Sequence, residues 1–326
     1  MRWVSVWLMA LIMIAGCSHA GLDKPLVVVL LSDDVRAPKV EGLRTGLQGL
    51  GYAPDAIVVD VLSAKGDRST LAKLAGEART RHPAVLVAGG GVEAIALKEA
   101  AAGQTPVVMM GVASTVRTGL VDSLLHPGGN ITGLDNQHAE LSAKRLELLT
   151  KLLPGVRRVL LLYDPQIIPG QHALEVTMEA ARRLRLDVQP LQVWTLEQTM
   201  NELSAFQPGE YDAALLLPGY VLESGARNIA VQFDRLKLPV MGPLDLEGEG
   251  GLLAAYGVSM RDQGAQAARF VVKMLQGVRP ADIPVETPDD PVLVVDLRMA
   301  RKLGVNLSPV GMALAKTVLT EAGDRP

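Results

Sequence analysis

Short apolar runs alternate with amphipathic segments along the first part of the chain. Four runs come first, at residues 26–31, 57–62, 85–88 and 107–110. The segment after the first run carries Leu43, Leu47 and Leu50 at the i, i+4, i+7 spacing of one helix face. A run that is apolar throughout is typical of a strand covered on both faces, as in a parallel sheet. Strict alternation of such strands with helices predicts an α/β fold built on a doubly wound parallel sheet.

A second series of the same kind follows. Its apolar runs lie at residues 159–163, 188–193, 213–217, 240–241 and 252–256. Both series open alike, with a basic residue before the first strand and an acid after it: Lys24 and Asp33 in one, Arg158 and Asp164 in the other. The segment 105–136, which is polar and bears several glycines after its opening strand, connects them. The pattern therefore predicts two similar lobes with a cleft between them.

The chain beyond residue 257 fits neither series as a separate unit. Its pattern predicts helices over residues 262–276, 299–303 and 311–322 and a strand over 292–296. A tail that crosses back between the lobes explains two further connectors, near Gly257 and near Asp289, so we expect a hinge of three crossings. We assign residues 25–133, with part of 258–283, to lobe I. Lobe II takes residues 134–257, with part of 292–326.

The N-terminus resembles a bacterial lipoprotein leader. Arg2 provides a short basic region, and the apolar residues 3–15 are too few for a comfortable membrane span. Ile14-Ala15-Gly16-Cys17 resembles the lipobox that precedes a lipidated cysteine. An ordinary secretion signal with a chance cysteine is the alternative.

We therefore predict a signal peptide over residues 1–16, lipidation at Cys17 and a tether over residues 17–24. The residue after the cysteine is Ser18 rather than Asp, and in this respect the chain resembles lipoproteins that are transferred to the outer membrane. The expected location is the periplasmic side of the cell envelope, with the lipid as membrane anchor.

Composition excludes several classes of protein. A chain of 326 residues exceeds what one core usually fills, which supports two domains. The net charge of −3 argues against a nucleic-acid partner, because such partners favour a basic face. Aromatic residues make up only 3% of the chain, so the cores must consist of aliphatic side chains and methionine. Outside the N-terminus, no apolar stretch reaches the roughly 18 residues of a membrane span.

No arrangement of catalytic residues is evident in the sequence. The chain has no G-x-S-x-G or H-E-x-x-H motif, and its single cysteine cannot form a disulfide within the chain. The five histidines are scattered over connectors and helix ends. Asp245, Glu247 and Glu249 cluster as cation ligands do, but a solvated loop is the favoured interpretation. We therefore predict no enzyme, no metal site and no cofactor.

Gly89-Gly90-Gly91 lies between a predicted strand and a predicted helix. Its spacing lacks the G-x-G-x-x-G of a dinucleotide site, and the first strand of the chain ends in acids rather than glycine. Backbone N–H groups at this helix N-terminus can still hold a carboxylate or another small anion. A tight turn without a ligand remains the alternative.

Ligands of open α/β sheets bind at the carboxyl ends of the strands. The candidate ligand-binding residues at or near these ends are Ser32, Asp33, Gly89, Gly90, Gly111, Ala113, Ser114, Asn136, Asp164, Pro165, Pro218, Gly219, Tyr220, Tyr256 and Gly257. By position, Ser32, Gly90 and Ser114 are assigned to the anionic end of a ligand. Asp164, Tyr220 and Tyr256 are assigned to its ammonium group and apolar part. For the tyrosines, packing within a lobe is the alternative.

Three motifs and the C-terminal pattern resemble one protein family. The motifs are Pro127-Gly128-Gly129-Asn130-Ile131-Thr132-Gly133, Leu152-Leu153-Pro154 and Ala254-Ala255-Tyr256-Gly257. The ending shares the family's order of a helix, Gly277, Pro280, Pro284, a strand, residues 300–304 and Pro309. From about residue 26 to residue 309, the chain resembles the substrate-binding proteins of ABC transporters. The similarity is to their tryptophan/tyrosine type, within the type I periplasmic binding protein fold.

This resemblance implies two flavodoxin-like lobes, joined by three hinge strands, that close around a small solute without chemistry. The expected protein is a monomer that captures a small polar or amphipathic, amino-acid-like solute for the permease subunits of an ABC importer. The alternative function is an envelope sensor or assembly lipoprotein. Such a protein keeps the fold with an altered or lost ligand cleft and has another envelope protein as its partner.

Overall fold

The computed structural model describes residues 24–243, 251–289, 291–320 and 323–325. The predicted signal peptide, the lipidation site Cys17 and the acidic cluster at residues 245–249 lie outside these ranges, so they stay predictions. Within the described ranges, no helix combines the length and the apolar character needed to cross a membrane.

Lobe I is a parallel sheet with helices on both faces. Its elements are β1 (Leu26–Leu31), α1 (Ala37–Gly49), β2 (Val58–Ser63), α2 (Leu71–Thr80), β3 (Val85–Ala88), α3 (Gly91–Ala101), β4 (Val107–Val112) and β5 (Ile131–Asp135). The strands pair in the order β2-β1-β3-β4-β5, and every pairing is parallel. Strands β3 and β4 are buried along their whole length, as their continuous apolar sequences predict.

Lobe II repeats the alternation of strand and helix. Its elements are α4 (Leu141–Leu152), β6 (Arg158–Tyr163), α5 (Ile168–Leu184), β7 (Asp187–Gln192), α6 (Leu196–Ala205), β8 (Ala213–Leu216), α7 (Tyr220–Ser224), α8 (Ala226–Leu236), β9 (Val240–Gly242) and β10 (Ala254–Gly257). Strands β7, β6, β8, β9 and β10 lie side by side in that order and pair in parallel.

The C-terminal part of the chain contributes to both lobes. Helix α9 (Met260–Leu275) packs against α1 and β4 of lobe I. Strand β11 (Val292–Asp296) then pairs antiparallel with β10 of lobe II. The chain therefore passes between the lobes after β5, after β10 and between α9 and β11. This architecture confirms the predicted α/β fold of two lobes joined by hinge crossovers.

The end of the chain differs from the prediction of a helix over residues 311–322. After α10 (Leu297–Leu303) and the short α11 (Pro309–Met312) come two strands, β12 (Thr317–Thr320) and β13 (Gly323–Arg325). Strand β12 pairs in parallel with β11, and β13 pairs antiparallel with β12. The β-branched residues of β12 suit a strand, and β11 supplies the hydrogen-bonding edge. The helix prediction for this segment is wrong because pairing with a distant strand decides its conformation.

Lobe I depends on a close contact between α1 and α9. A Cβ atom added to Gly42 would lie 1.9 Å from the carbonyl oxygen of Arg261, and one added to Gly264 would lie 1.9 Å from that of Lys39. The two helix backbones therefore touch at glycines, where no side chain fits. On its other side α9 covers the sheet, and Phe270 and Val271 are completely buried there.

We expect Gly42→Ala to destabilise the protein by about 1–3 kcal/mol, because the added methyl group forces α1 away from α9. Gly49 lies on the same helix, and a Cβ atom there meets nothing within 4 Å. Gly49→Ala is therefore the matched control, and it should be neutral or stabilising by up to ~1 kcal/mol. Urea unfolding measures the free energy of unfolding of both variants. Equal free energies of unfolding for the two variants would contradict the close contact between α1 and α9.

Candidate functional site

A cavity of about 250 Å³ lies between the lobes, at the carboxyl ends of strands from both sheets. Lobe I lines it with Arg36, Lys39, Arg68, Gly90, Gly91, Val92, Ile95, Gly111, Val112, Ala113, Thr118 and Leu120. The connections between the lobes and the start of α9 contribute Asn136, His138 and Met260. Lobe II contributes Gln166, Ile167, Ile168, Pro169, Pro218, Gly219, Tyr220 and Glu223. Charged, polar and apolar side chains thus face one space.

Arg36 forms a buried ion pair at the edge of this cavity. It ends a short 3₁₀ turn after β1, and Asp33 caps that turn by accepting a hydrogen bond from the Val35 N–H at 3.0 Å. Nη1 of Arg36 donates to both carboxylate oxygens of Glu93 at 3.0 Å. Arg36 is 7% exposed and Glu93 is 0% exposed, so each charge needs the other as its compensation.

The same guanidinium reaches lobe II. Its Nη2 donates to Oε2 of Glu223, on α7, at 2.5 Å. Tyr220, at the start of α7, donates from its hydroxyl to the carbonyl oxygen of Gly66 in lobe I at 2.7 Å. The guanidinium carbon of Arg68 lies 6.0 Å from the Tyr220 ring centroid. Helix α7 therefore contacts lobe I through both side chains, and the lobes are closed against each other at this edge of the cavity.

The Tyr220 hydroxyl remains a donor at neutral pH. Burial raises its pKa, and the carboxylate of Asp33 raises the pKa further. The tyrosine therefore keeps its proton for the hydrogen bond to Gly66.

Gly90 has no side chain, and the guanidinium of Arg36 occupies the space beside it. A Cβ atom on Gly90 would lie 1.6 Å from Nη1 of Arg36, so any side chain there would displace the guanidinium from this position. Gly90 is also the N-cap of α3, in an extended conformation. The glycine triplet thus ends β3, opens α3 and admits the guanidinium, which accounts for a glycine here without a dinucleotide.

Lys39 joins the ends of two strands beneath the cavity. Its Nζ donates to the carbonyl oxygens of Gly89 at 2.9 Å, Met110 at 2.8 Å and Gly111 at 3.2 Å. Lys39 is only 3% exposed. The buried ammonium therefore holds the carboxyl ends of β3 and β4 in place and adds positive charge next to the cavity.

Two helix N-termini face the cavity from opposite lobes. Helix α3 begins at Gly91 and α5 begins at Ile168, and neither N-cap makes a side-chain hydrogen bond to its helix. The first N–H groups of any helix lack an acceptor within the helix, and the helix dipole gives this end a partial positive charge. Both ends therefore offer N–H donors to a negatively charged group of a ligand, although Pro169 at the second position of α5 contributes none.

Aliphatic side chains form the rest of the lining. Val92, Ile95 and Leu120 come from lobe I, and Ile167, Ile168 and Pro169 come from lobe II. Ile95 and Ile168 are each 44% exposed. A ligand with an apolar part gains free energy by covering these side chains, at about 25 cal/mol for each Å² removed from water.

Arg145 connects two of the crossings between the lobes. Its Nη1 donates to the carbonyl oxygen of His138 at 2.8 Å, and its Nε donates to that of Tyr256 at 2.8 Å. His138 follows β5, whereas Tyr256 lies in β10. One fully buried guanidinium therefore holds two segments of the hinge together.

A model of the family described as ABC transporter substrate binding protein matches residues 26–319. The chain belongs to this family. Its members bind solutes and are not enzymes. Across the described part of this substrate-binding protein, no three His, Cys, Asp or Glu side chains come together as a metal site.

A named relative supports the assignment. The tyrosine-binding protein of Clostridioides difficile (strain R20291) is 24% identical over 272 residues, which cover 82% of this chain and 77% of that protein.

Solved structures confirm the two-lobed fold. A domain of an ABC protein from Streptococcus pneumoniae, in complex with L-Trp, is 22% identical, covers 90% of this chain and 99% of its own, and has a TM-score of 0.83. A conserved domain protein from Vibrio cholerae is 23% identical, with the same two coverages and a TM-score of 0.83. The ligand-free, open form of a substrate binding protein with adhesive properties from Clostridium difficile is 21% identical. It covers 88% of this chain and 96% of its own, with a TM-score of 0.65.

Part of the predicted ligand-binding set lines the cavity of this substrate-binding protein. These residues are Gly90, Gly111, Ala113, Asn136, Pro218, Gly219 and Tyr220. They come from both lobes and from the first crossing, as the carboxyl-end rule predicts.

The other predicted residues lie behind or beside the lining: Ser32, Asp33, Gly89, Ser114, Asp164, Pro165, Tyr256 and Gly257. The backbone N–H of Ser32 donates to Oε1 of Glu93 at 2.7 Å, so Ser32 helps to hold the carboxylate that pairs with Arg36. Ser114 is 4% exposed in a left-handed turn, with φ of 55°. The two serines assigned to an anionic group are thus buried next to the cavity rather than in it.

Asp164, the predicted partner of an ammonium group, is 0% exposed. Its Oδ1 accepts from the backbone N–H of Gln166 at 2.9 Å. Gly219 packs against it so closely that a Cβ atom there would lie 2.9 Å from the Asp164 Cβ. Burial raises the pKa of the Asp164 carboxyl. The residue therefore organises the two loops that line the cavity from lobe II.

Two of the three tyrosines at strand ends pack within lobe II. Tyr163 is 7% exposed in the core of that lobe, and its hydroxyl accepts from Gln192 Nε2 at 3.0 Å. Tyr256 packs against the same core and opposes Leu293 across the sheet. Tyr220 alone of these three lines the cavity.

The sequence analysis missed charged residues that line the cavity, namely Arg36, Lys39, Arg68 and Glu223. A signal exists for the first two. The buried face of α1 passes through Lys39, Leu43 and Leu47, whereas Leu50, predicted for that face, is 49% exposed. A charged residue on the buried face of a helix that follows the carboxyl end of a strand indicates a functional site.

His138 generates a prediction about pH. Burial lowers its pKa well below 6.5, and Arg145 and Lys39 lower it further, although Glu223 acts in the opposite direction. Between the pKa values of the two states, the His138 imidazole therefore binds a proton in the unfolded chain but not in the folded protein. The stability that depends on neutral His138 is complete above about pH 6.5 and is lost as the pH falls.

We expect His138→Gln to reduce the slope of unfolding free energy against pH below about pH 6.5, by as much as ~1.4 kcal/mol per pH unit. Urea titrations at several pH values measure this slope, whatever the variant's absolute stability. His126 is exposed, and His126→Gln serves as the control. A slope in His138→Gln equal to that of the control would show that His138 titrates normally.

Proposed function

We propose that this protein is a lipid-anchored, extracytoplasmic solute-binding protein that captures a small amino-acid-like solute for an ABC importer. The observation that carries the proposal is the cavity between the lobes, with donors for an anion and an apolar lining in one space. At about 250 Å³ it lies below the usual range of ligand pockets, which favours a small solute.

The chemistry of the lining matches the parts of an amino acid. The N-termini of α3 and α5 suit a carboxylate. Ile95, Ile168 and Leu120 suit an aliphatic or aromatic side chain. A tyrosine-binding relative and an L-Trp complex of the same fold support an amino acid as the solute class.

The closed arrangement supports capture by lobe closure. Residues from both lobes line the cavity, so a bound solute contacts both and favours the closed state by its differential affinity. The Arg36–Glu223 and Tyr220–Gly66 contacts exist only when the lobes approach. Permease subunits of an importer would recognise this closed form.

The envelope location is supported by the sequence of the N-terminus. Ile14-Ala15-Gly16-Cys17 favours lipidation at Cys17, and Ser18 favours the outer membrane. An outer-membrane anchor would hold the protein away from an inner-membrane permease, and it would therefore favour a sensor or assembly lipoprotein over an importer component. Metabolic labelling with a radioactive fatty acid, with Cys17→Ala as the control, would test the anchor directly.

The second candidate function is an envelope sensor or assembly lipoprotein that acts through its surface. The adhesive properties named for the Clostridium difficile protein of the same fold favour keeping this candidate. It predicts a folded protein whose stability does not respond to small solutes.

Thermal unfolding of the chain from Ser18 to Pro326 against amino acids, nucleosides, sugars and organic acids separates the two candidates. A solute that binds the folded state stabilises it by about 2.7 kcal/mol at a hundred times its dissociation constant. We expect stabilisation by one or more amino acids and none by sugars. Cooperative unfolding with no response to any solute would instead support the sensor or assembly lipoprotein.

A further inference from the structure

We propose that Glu223 determines ligand specificity by binding the ammonium group of the solute while it holds Arg36. This inference rests on the proposed function, because it assigns a residue to part of an amino-acid-like ligand. It transfers to Glu223 the role that the sequence analysis gave to Asp164.

Glu223 lies where a ligand can reach it. It lines the cavity from α7, and its side chain keeps 18% of its surface exposed. Its bond to Arg36 Nη2 uses Oε2. We assign the second oxygen, Oε1, to the ammonium group of the solute.

Glu223 is the carboxylate that a cation in the cavity can reach. One guanidinium lies between two carboxylates, those of Glu93 and Glu223. The three side chains therefore carry a formal charge of one negative unit. Lys39, the next cation along α1, already donates to three carbonyl oxygens. Arg68 is a further cation of the lining, so the cavity as a whole carries no excess negative charge. Among the described residues that line it, however, Glu223 is the only carboxylate and therefore the only anionic partner for an ammonium group.

Asp164 is the rival carboxylate, and its surroundings argue against contact with a ligand. It is 0% exposed, lies behind Gly219 and is absent from the cavity lining. Its Oδ1 is engaged by the loop that follows β6. Asp164 therefore shapes the loops at the cavity rather than binding the solute.

Glu223 also links specificity to closure. Arg36 belongs to lobe I and Glu223 to lobe II, so their contact forms as the lobes close. A role in closure alone would affect every ligand equally. A role in binding the ammonium group would affect only ligands that carry one, which makes the two roles separable by experiment.

The experiment compares amino acids with their deaminated counterparts on the chain from Ser18 to Pro326. The pairs are L-tyrosine and desaminotyrosine, L-tryptophan and indolepropionic acid, and L-leucine and isocaproic acid. Isothermal titration calorimetry measures their dissociation constants for the wild type and for Glu223→Gln. We expect Glu223→Gln to weaken the amino acid by ~10-fold or more and to change its deaminated counterpart by less than ~3-fold.

Three further variants sharpen the result. Glu223→Asp keeps the carboxylate and should recover part of the preference for the amino acid. Glu175 of lobe II forms an exposed ion pair with Arg117 of lobe I at 3.6 Å, so Glu175→Gln is the matched control for loss of a contact between the lobes and should change both ligands equally, by less than ~3-fold. Asp164→Asn tests the rival residue. Circular dichroism confirms that each variant is folded.

The possible outcomes are distinct. Equal weakening of both members of a pair by Glu223→Gln would reduce its role to closure. Loss of the preference in Asp164→Asn, with Glu223→Gln unchanged, would return the ammonium group to Asp164. If the wild type binds none of the pairs, the amino-acid part of the proposed function fails, and this assignment fails with it.

Discussion

A buried positive charge must be compensated, and three such charges hold this protein together. Arg36 joins lobe I to lobe II through Glu93 and Glu223, Lys39 joins β3 to β4, and Arg145 joins two crossings of the hinge. Removing one partner from a buried pair is strongly unfavourable because the other charge is left without compensation. The positions of the strand ends, the lobes and the hinge are therefore fixed by polar contacts in a protein whose cores are almost entirely aliphatic.

The cavity is a direct result of this arrangement. The cations and the N-termini of α3 and α5 create a positive environment, and the carboxylates of Glu93 and Glu223 balance it locally. Among the aliphatic residues between them, Ile95 and Ile168 are each 44% exposed and so leave apolar surface for a solute to cover. The same residues that stabilise closure thus also define the charge and shape that a solute must match.

The fold was largely predictable from the sequence because strands and helices are encoded in short-range patterns. The apolar runs gave the sheets of both lobes, and the carboxyl-end rule placed Gly90, Gly111 and Tyr220 at the cavity. Contacts between distant segments were not predictable in this way. Strand β12 forms because β11 offers an edge, and Gly42 must be glycine because α9 returns to α1. Likewise, nothing near Glu223 in the sequence shows that Arg36 is its partner.

The return of α9 to lobe I has a consequence for biosynthesis. One face of the first sheet is covered by a helix that follows the whole of lobe II in the sequence up to β10. A ribosome that has completed β5 has therefore not yet made a part of lobe I that buries Phe270 and Val271 against it. Lobe I reaches its final packing only after most of the chain has been synthesised, so the two lobes mature together rather than one after the other.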